Sequence, residues 1–376
     1  GLGSELIPTN PERRRVYVLH GGRLHALPDG FRLTVPTRIL PFLGSRLFSV
    51  RAKLRMLCEP FVPGRRAAGD ESVAAFVRRR FGEEALELAG EPLLAGIHCG
   101  DAEKLSMECL FPNLAALERR YGSLTRGMIS ERRGEETVFL SLSGGMSRLV
   151  EKLAQEIRGE IRLNQRAVGI RRNDGGFEIA LASGERVPAS ALVLALPLRV
   201  SEDLLEGIAP LAAIELSRIQ TVSTAVVFHA FRRERVNHPL DGYGFVVPAS
   251  EPNRLLAATF VSTKFPTRAP PSYVLVRTFL GGRREPGILN ASDAEIETTS
   301  RGELERVLGS LGVPIFSRVV RWADRTPQVE VGHRSRIDAF ERALADVPGL
   351  FVLGSGLRGV GIPDSIAAAR ALAAEL

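Results

Sequence analysis

Leu350-Phe-Val-Leu-Gly-Ser-Gly-Leu-Arg-Gly-Val-Gly-Ile-Pro-Asp-Ser-Ile366 joins an apolar run to a glycine-dense turn, and Ala-rich helical spacing then continues to Leu376. Gly354, Gly356 and Gly359 spell G-x-G-x-x-G between a strand signal, Leu350 to Leu353, and a helix signal, Ile366 to Leu376. At the head of a βαβ unit this spacing marks a dinucleotide site, but such a unit needs a second strand and an acidic residue roughly 20 positions on. Too little chain follows Gly361 to provide them. What survives is local physics. Glycines admit a ligand close to the backbone, and the unpaired N–H groups and dipole of a helix start favour an anion. Gly359, Val360, Gly361 and Ile362 are the candidates, although a tight strand-to-helix turn with no ligand leaves the same pattern.

The 376 residues suffice for two or three domains and a large core, and 44% hydrophobic with 25% charged residues is an ordinary globular composition. No apolar run approaches the 18 residues of a membrane span; the longest are Ala189 to Leu198 and Ile219 to Phe231. Three cysteines, Cys58, Cys99 and Cys109, form no C-x-x-C pair and point to reduced thiols in the cytoplasm. The six histidines are scattered, and no carboxylate joins His20 and His25, or His98 and Cys99, at ligand spacing, so no metal site is expected. A net charge of +7 calls for an anionic partner. Few aromatics and no recognition motif argue against nucleic acid and leave a membrane surface or a carboxylate-bearing ligand.

Val16 to Leu27 alternates around Gly21-Gly22 and reads as a hairpin. From Gly30 to Cys58 there is no acidic residue, while Arg32, Arg38, Arg46, Arg51, Lys53 and Arg55 interleave with large apolar residues. That mixture suits a segment lying on anionic lipid, and equally a helix packed on a core. Asp70 to Arg80, with Asp70 or Glu71 near its start, Glu83 to Leu94 and Leu114 to Tyr121 read as helices. Gly144-Gly145 opens another that runs to about Ile157. Ile161 to Arg171 and Phe177 to Leu181 read as strands split by the turn Asn173-Asp-Gly-Gly176, and Ala191 to Leu196 as a buried parallel strand. Thr221 to Phe231, Gly242 to Val247, Leu255 to Val261 and Val274 to Leu280 are β-rich.

The stretch Gly354 to Ile366 resembles the C-terminal flavin motif of the protoporphyrinogen and coproporphyrinogen oxidase family, a branch of the flavin amine-oxidase superfamily. Arg321-Trp322, Pro327-Gln328 and Val331-Gly332-His333 resemble its R-W…P-Q-x-x-V-G-H segment. Glu91-Pro-Leu-Leu-Ala-Gly-Ile-His-Cys-Gly-Asp101 resembles its E-P-L-x-A-G-x-x-x-G-D. Phe111-Pro112, Glu118-Arg-Arg-Tyr121 and Asp241-Gly-Tyr-Gly244 follow the family's order, so the resemblance spans nearly the whole chain. Ser355, Leu357 and Ser365 depart from it without removing a backbone contact. Gly1-Leu-Gly-Ser-Glu-Leu-Ile-Pro8 resembles an internal segment of the family, so the expectation is a piece shortened at its N-terminus by roughly 70 residues, the size of a βαβ opening unit with its extension.

The resemblance implies a mixed α/β (α+β) fold in three parts. These are a discontinuous FAD-binding Rossmann-like domain lacking its first βαβ unit (1–15, 131–205, 324–376), a mixed-sheet substrate-binding domain (16–36, 206–323) and a helical, membrane-associated domain (37–130). It implies FAD as cofactor, with Val168 making a backbone contact to the adenine and Trp322 near the flavin, beside Gly359 to Ile362. It places Arg32 at the propionates of a porphyrinogen, with Gly96, Tyr243, Gly244, Val246 and Phe279 as pocket walls. Tyr243 and Phe279 are equally suited to plain sheet core, and Trp322 to core packing. No residue stands out as a general base. The implied reaction is six-electron oxidation of protoporphyrinogen IX to protoporphyrin IX in heme biosynthesis, with oxygen as acceptor and hydrogen peroxide as product. Coproporphyrinogen III is the alternative substrate. Other readings are an amine oxidase, a carotenoid desaturase, or a non-catalytic fragment whose flavin affinity is weakened by several kcal/mol through loss of charged hydrogen bonds. A homodimer and attachment to the inner face of the membrane are further expectations.

Overall fold

β-Branched and aromatic alternation across Thr221 to Gly281 builds the largest sheet of the protein. The computed structural model describes residues 1–65, 69–131 and 139–376. Parts of the expected 37–130 and 131–205 spans therefore lie outside the described residues. In chain order the first strands are β1 (Leu6–Pro8), β2 (Val16–His20), β3 (Arg23–Ala26), β4 (Phe31–Arg32), β5 (Val35–Pro36) and β6 (Leu140–Leu142). Next come β7 (Ala167–Asn173), β8 (Gly176–Leu181), β9 (Arg186–Ala189), β10 (Leu192–Ala195) and β11 (Thr221–Arg232). The last are β12 (Gly244–Val246), β13 (Ala257–Phe260), β14 (Tyr273–Gly281), β15 (Phe316–Pro327) and β16 (Leu350–Leu353).

Seven strands form one mixed sheet in the order β15-β11-β14-β13-β12-β2-β3, antiparallel except where β12 runs parallel to β2. The hairpin β2–β3 turns at Gly21 (φ 58°) and Gly22 (φ 72°), the left-handed pair that a two-residue type I′ turn requires. Helix Asp293–Leu308 lies across one face. Its start is fixed by Ser292 and Glu295, each accepting the other's backbone N–H. It buries Ile296, Leu304 and Leu308 in a core with Ala225, Val227, Val276 and Leu280.

A second core gathers the helical segment between Phe42 and Leu124 with Val18 and Val35. Ser72, rather than Asp70 or Glu71, caps helix Val73–Phe81, because Asp70 turns instead to accept from Ser106 Oγ and from the Glu108 backbone. Glu83 to Leu94 is not one regular helix: Pro92 removes a donor, and Leu86–Ala95 winds as a π-helix. Arg80 is fully buried and pairs with Glu59, which also accepts from Ser123 Oγ and from the backbone of Leu124 and Thr125.

The third core joins Ile170, Phe177, Leu194 and Leu205 to Ile337 and Leu350. Here β10 and β16 pair in parallel, as expected for Ala191 to Leu196, but the strand is not buried throughout. Only Leu194 is enclosed, since among the described residues β10 has a neighbour on one edge alone. Ile161 to Arg166 is irregular, and the strand begins at Ala167. The last helix starts at Ile362, four residues before the Ala-rich spacing. Among the described residues no helix is long and apolar enough to cross a membrane.

His229 is wholly buried between the sheet and helix Asp293–Leu308, with Nε2 2.8 Å from Ser300 Oγ and Nδ1 2.9 Å from Ser317 Oγ. Burial lowers it from 6.5 to about 4, so the folded state holds it neutral while the unfolded chain protonates near its ordinary value. Its contribution to stability is complete above the unfolded pKa and is lost as pH falls from about 6.5 to about 4, by up to roughly 3 kcal/mol. Urea unfolding of wild type and His229→Gln across that window should show a shallower acid loss in the variant; equal losses would contradict the assignment.

Candidate active site

The turn from β16 to helix Ile362–Glu375 is held from below by the segment that ends β15. Gly356 takes φ +92°, and a Cβ there would lie 2.5 Å from Pro327 Cβ. Only glycine permits that approach. His333 Nε2 lies 3.0 Å from the Leu357 carbonyl and donates to it, and Gly356 N–H donates to Gly359 O at 2.7 Å. Pro327 and His333 thus act as a scaffold for the glycine turn, which gives the sequence spacing P-Q-x-x-V-G-H a structural meaning.

At the helix start, Gly361 N–H donates to Asp364 Oδ2 at 2.9 Å. Among the described residues nothing accepts from the N–H of Val360 or Ile362. Those two donors and the dipole of a 14-residue helix are open to an anionic or carbonyl oxygen. A Cβ on Gly359 would meet Asp364 Cβ at 2.5 Å, so a side chain here would push the capping carboxylate off the helix. Gly359 and Val360 line a cavity of about 680 Å³ shared with His333 and Cys109.

Val168 occupies a bulge in the β7–β8 ladder, where Ala167 pairs with Leu181 and Gly169 with Ala180, and its side chain is 55% exposed. The bulge leaves Val168 without a cross-strand partner, which suits a backbone contact to a ligand. Trp322 stands on β15 opposite Thr224 and is 49% exposed, so it is not a core residue. It lies five positions before the Pro327 that supports the glycine turn.

Of the other named residues, Gly244, Val246 and Phe279 belong to the face of the large sheet away from helix Asp293–Leu308, while Arg32, Gly96 and Tyr243 lie outside its strands. Cross-strand register lines up Val320, Val226, Phe279, Ala257 and Val246 in one row, and Arg318, Phe228, Arg277, Thr259 and Gly244 in the next. Phe279, Val246 and Gly244 are therefore brought together as one surface. Tyr243 precedes β12 and is held by its hydroxyl, which donates to Asn10 O at 2.8 Å. The turn that begins at Gly96 abuts the end of β14: Cys99 O accepts from Arg283 N at 3.0 Å, and Gly282 packs on Cys99. Arg32 is exposed on β4, and no carboxylate pairs with it among the described residues.

Two residues of this region carried no sequence signal. Arg277 sits in the sheet face beside the rings of Phe279 (4.9 Å) and Phe228 (6.0 Å), and burial lowers its guanidinium from the ordinary value. Lys264 Nζ lies 4.2 Å from the Phe139 ring centroid and 5.5 Å from that of Tyr243. Burial first, and the charge of Arg277 second, lower its ammonium. The arrangement offers an oxygen-binding helix start, an exposed indole and an apolar sheet face with cations in it. Together these suit a flat, anionic ring system.

The profile of the family described as flavin containing amine oxidoreductase matches residues 1–376. Coproporphyrinogen III oxidase of Bacillus subtilis (strain 168) is 30% identical over 376 residues, covering 97% of this chain and 80% of that protein. Protoporphyrinogen oxidase 2, chloroplastic/mitochondrial, of Arabidopsis thaliana is 26% identical over 405 residues, covering 97% and 80%. A crystal structure from Exiguobacterium sp. 255-15, assigned as a protoporphyrinogen oxidase, superposes with a TM-score of 0.88 at 31% identity, over 99% of this chain and 81% of that one.

Gly359→Ala should displace Asp364 and reduce the FAD retained after loading and desalting, read from the visible flavin band. Asp364→Gly in the same chain removes the Cβ, Cγ and Oδ2 atoms that the new methyl meets and should restore part of it. Full retention by Gly359→Ala would separate the helix start from flavin binding.

Proposed function

This chain belongs to the flavin-containing amine oxidoreductase family and is an FAD-dependent oxidoreductase, and we propose that it oxidises a porphyrinogen to the corresponding porphyrin. The observation that carries the reading is the apolar sheet face of Phe279, Val246, Val226 and Val320, ending beside Trp322 and the support of the glycine turn. The residues present fit a flavin: the free N–H groups of Val360 and Ile362 suit its polar oxygens, and the bulged, exposed Val168 suits a backbone contact to the adenine.

Bound FAD supplies the hydride acceptor. The sheet face packs the macrocycle and excludes water from one side, and Arg32 takes propionate oxygens at the edge. Neither row of the face holds a carboxylate or histidine, so the side chains here orient the substrate and no proton transfer is assigned to them. Six electrons leave in three two-electron rounds, with oxygen as acceptor and hydrogen peroxide as product. Protoporphyrinogen IX and coproporphyrinogen III are the two candidate substrates. FAD-loaded protein should convert at least one of them to its porphyrin, seen as porphyrin fluorescence with matching peroxide. Turnover of amines or phytoene with neither porphyrinogen consumed would overturn the reading.

A second reading concerns where the protein works. Leu40 (83% exposed), Phe61 (80%) and Val50 (73%) stand out from the helical segment beside Arg46, Arg51 and Arg55. Exposed apolar bulk with only positive charge between Gly30 and Cys58 fits an anionic lipid surface. The protein should float with vesicles containing phosphatidylglycerol but not with neutral ones, and Leu40→Glu with Phe61→Glu should abolish flotation while leaving the melting temperature in place.

A further inference from the structure

Other half-buried arginines of this protein have oxygen acceptors: Arg79 pairs with Glu71 and Glu118, Arg283 with Glu330 and Arg284 with Glu91, while Arg55, Arg233 and Arg268 donate to backbone carbonyls. Arg277 and Lys264 do not. Arg79 and Arg283, like Arg277, have a buried Nε without a partner, but among the described residues Arg277 alone of these three has no oxygen accepting from its terminal nitrogens either. Lys264 Nζ likewise meets only aromatic faces. A cation partly withdrawn from water, given rings on its flanks but no acceptor for its N–H groups, is an incomplete arrangement.

Position decides what completes it. Arg277 stands one residue pair from Phe279 along β14, on the same face as Val246 and Val226, with Phe228 on one side and Thr259 on the other. Its planar fork thus opens at the margin of the apolar surface. The geometry matches a carboxylate attached to a flat hydrophobic body, and a guanidinium binds a carboxylate through two parallel hydrogen bonds.

We propose that Arg277, with Lys264 beside it, is a carboxylate-binding subsite, and that it favours a porphyrinogen carrying carboxylates beyond those taken by Arg32, which makes the four-carboxylate coproporphyrinogen III the preferred substrate. This rests on the porphyrinogen reading above. Protoporphyrinogen IX has two carboxylates fewer and leaves the subsite unfilled.

The test compares FAD-loaded wild type with Arg277→Met, Arg277→Lys and Lys264→Met. One readout is binding of coproporphyrin III and of its tetramethyl ester, followed by the shift of the porphyrin absorption band. The other is kcat/KM for the two porphyrinogens. Arg277→Met should weaken coproporphyrin III binding roughly tenfold or more, the scale of a lost charged hydrogen-bond pair, and should lower the coproporphyrinogen-to-protoporphyrinogen ratio of kcat/KM by a similar factor, chiefly through KM. Arg277→Lys should recover part of the loss, and the ester should bind wild type and variant alike. Equal losses on both substrates, or a loss shared by the ester, overturn the subsite. If Arg277→Met melts early, Lys264→Met, outside the strand, gives the same readouts. Wild type that binds coproporphyrin III but oxidises neither porphyrinogen refutes the oxidase reading and leaves the subsite standing. Wild type that does neither refutes both.

Discussion

The close approach of Gly356 to Pro327 is the constraint on which the functional region depends. Two segments of separate origin meet there. One is the end of β15, an edge strand of the large sheet, and the other is the turn that leaves β16 for the last helix. A methyl group at Gly356 would sit 2.5 Å from the proline ring, so the two backbones can lie this close only without a side chain. His333 adds a hydrogen bond to Leu357 O, and Gln328 Nε2 reaches His98 O at 3.1 Å. One short stretch, Pro327 to His333, therefore ties the sheet, the glycine turn and the Gly96 turn to one another. The helix start and the apolar sheet face are placed by the same few contacts.

Charge is used in two opposite ways. Arg80 is enclosed with acceptors for both terminal nitrogens: Glu59, the Val62 carbonyl at 2.8 Å and the Gly122 carbonyl at 2.9 Å. Burial alone would push Glu59 up, yet hydrogen bonds from Ser123, Thr125 and Leu124, with the charge of Arg80, hold it below its ordinary value. Such a pair contributes little net stability compared with apolar packing, but losing one partner costs about 3–5 kcal/mol, so it fixes how the helical segments assemble. Arg277 is the reverse case, a half-buried cation whose hydrogen-bonding capacity is left over after folding.

Legibility in the sequence followed burial on one face. The hairpin at Gly21-Gly22, the strands around Thr221 to Phe231 and Val274 to Leu280, and the parallel strand near Leu194 all carried the alternation or apolar runs that their packing demands. β15 did not. Arg318, Arg321, Asp324 and Arg325 break its pattern because the strand lies at the sheet edge and much of it faces solvent. Helix Asp293–Leu308 carries a capping box in Ser292 and Glu295, but its apolar positions Ile296, Leu304 and Leu308 are too sparse among its charges to make a clear stripe in the sequence. The glycine turn was legible because its spacing is local. Arg277 and Lys264 were not, because the lack of a carboxylate partner among the described residues is a property of three-dimensional register and has no sequence period.

An unfilled cation on an otherwise apolar face lowers the stability of the free protein, and that is what makes it useful to a binding site. A carboxylate arriving there meets a half-buried donor held between Phe228 and Phe279, so less hydration and little rotamer freedom remain to be lost. The same charge in solvent, like Arg32, must still shed its hydration and be ordered when a ligand comes. Discrimination follows from the asymmetry between the two. An exposed arginine loses little when its partner is absent, whereas a half-buried one with an enclosed Nε, like Arg277, remains partly unsatisfied. Selectivity between substrates that share a macrocycle and differ in carboxylate count is therefore carried by the half-buried cation within the sheet and not by the more conspicuous basic run on the surface.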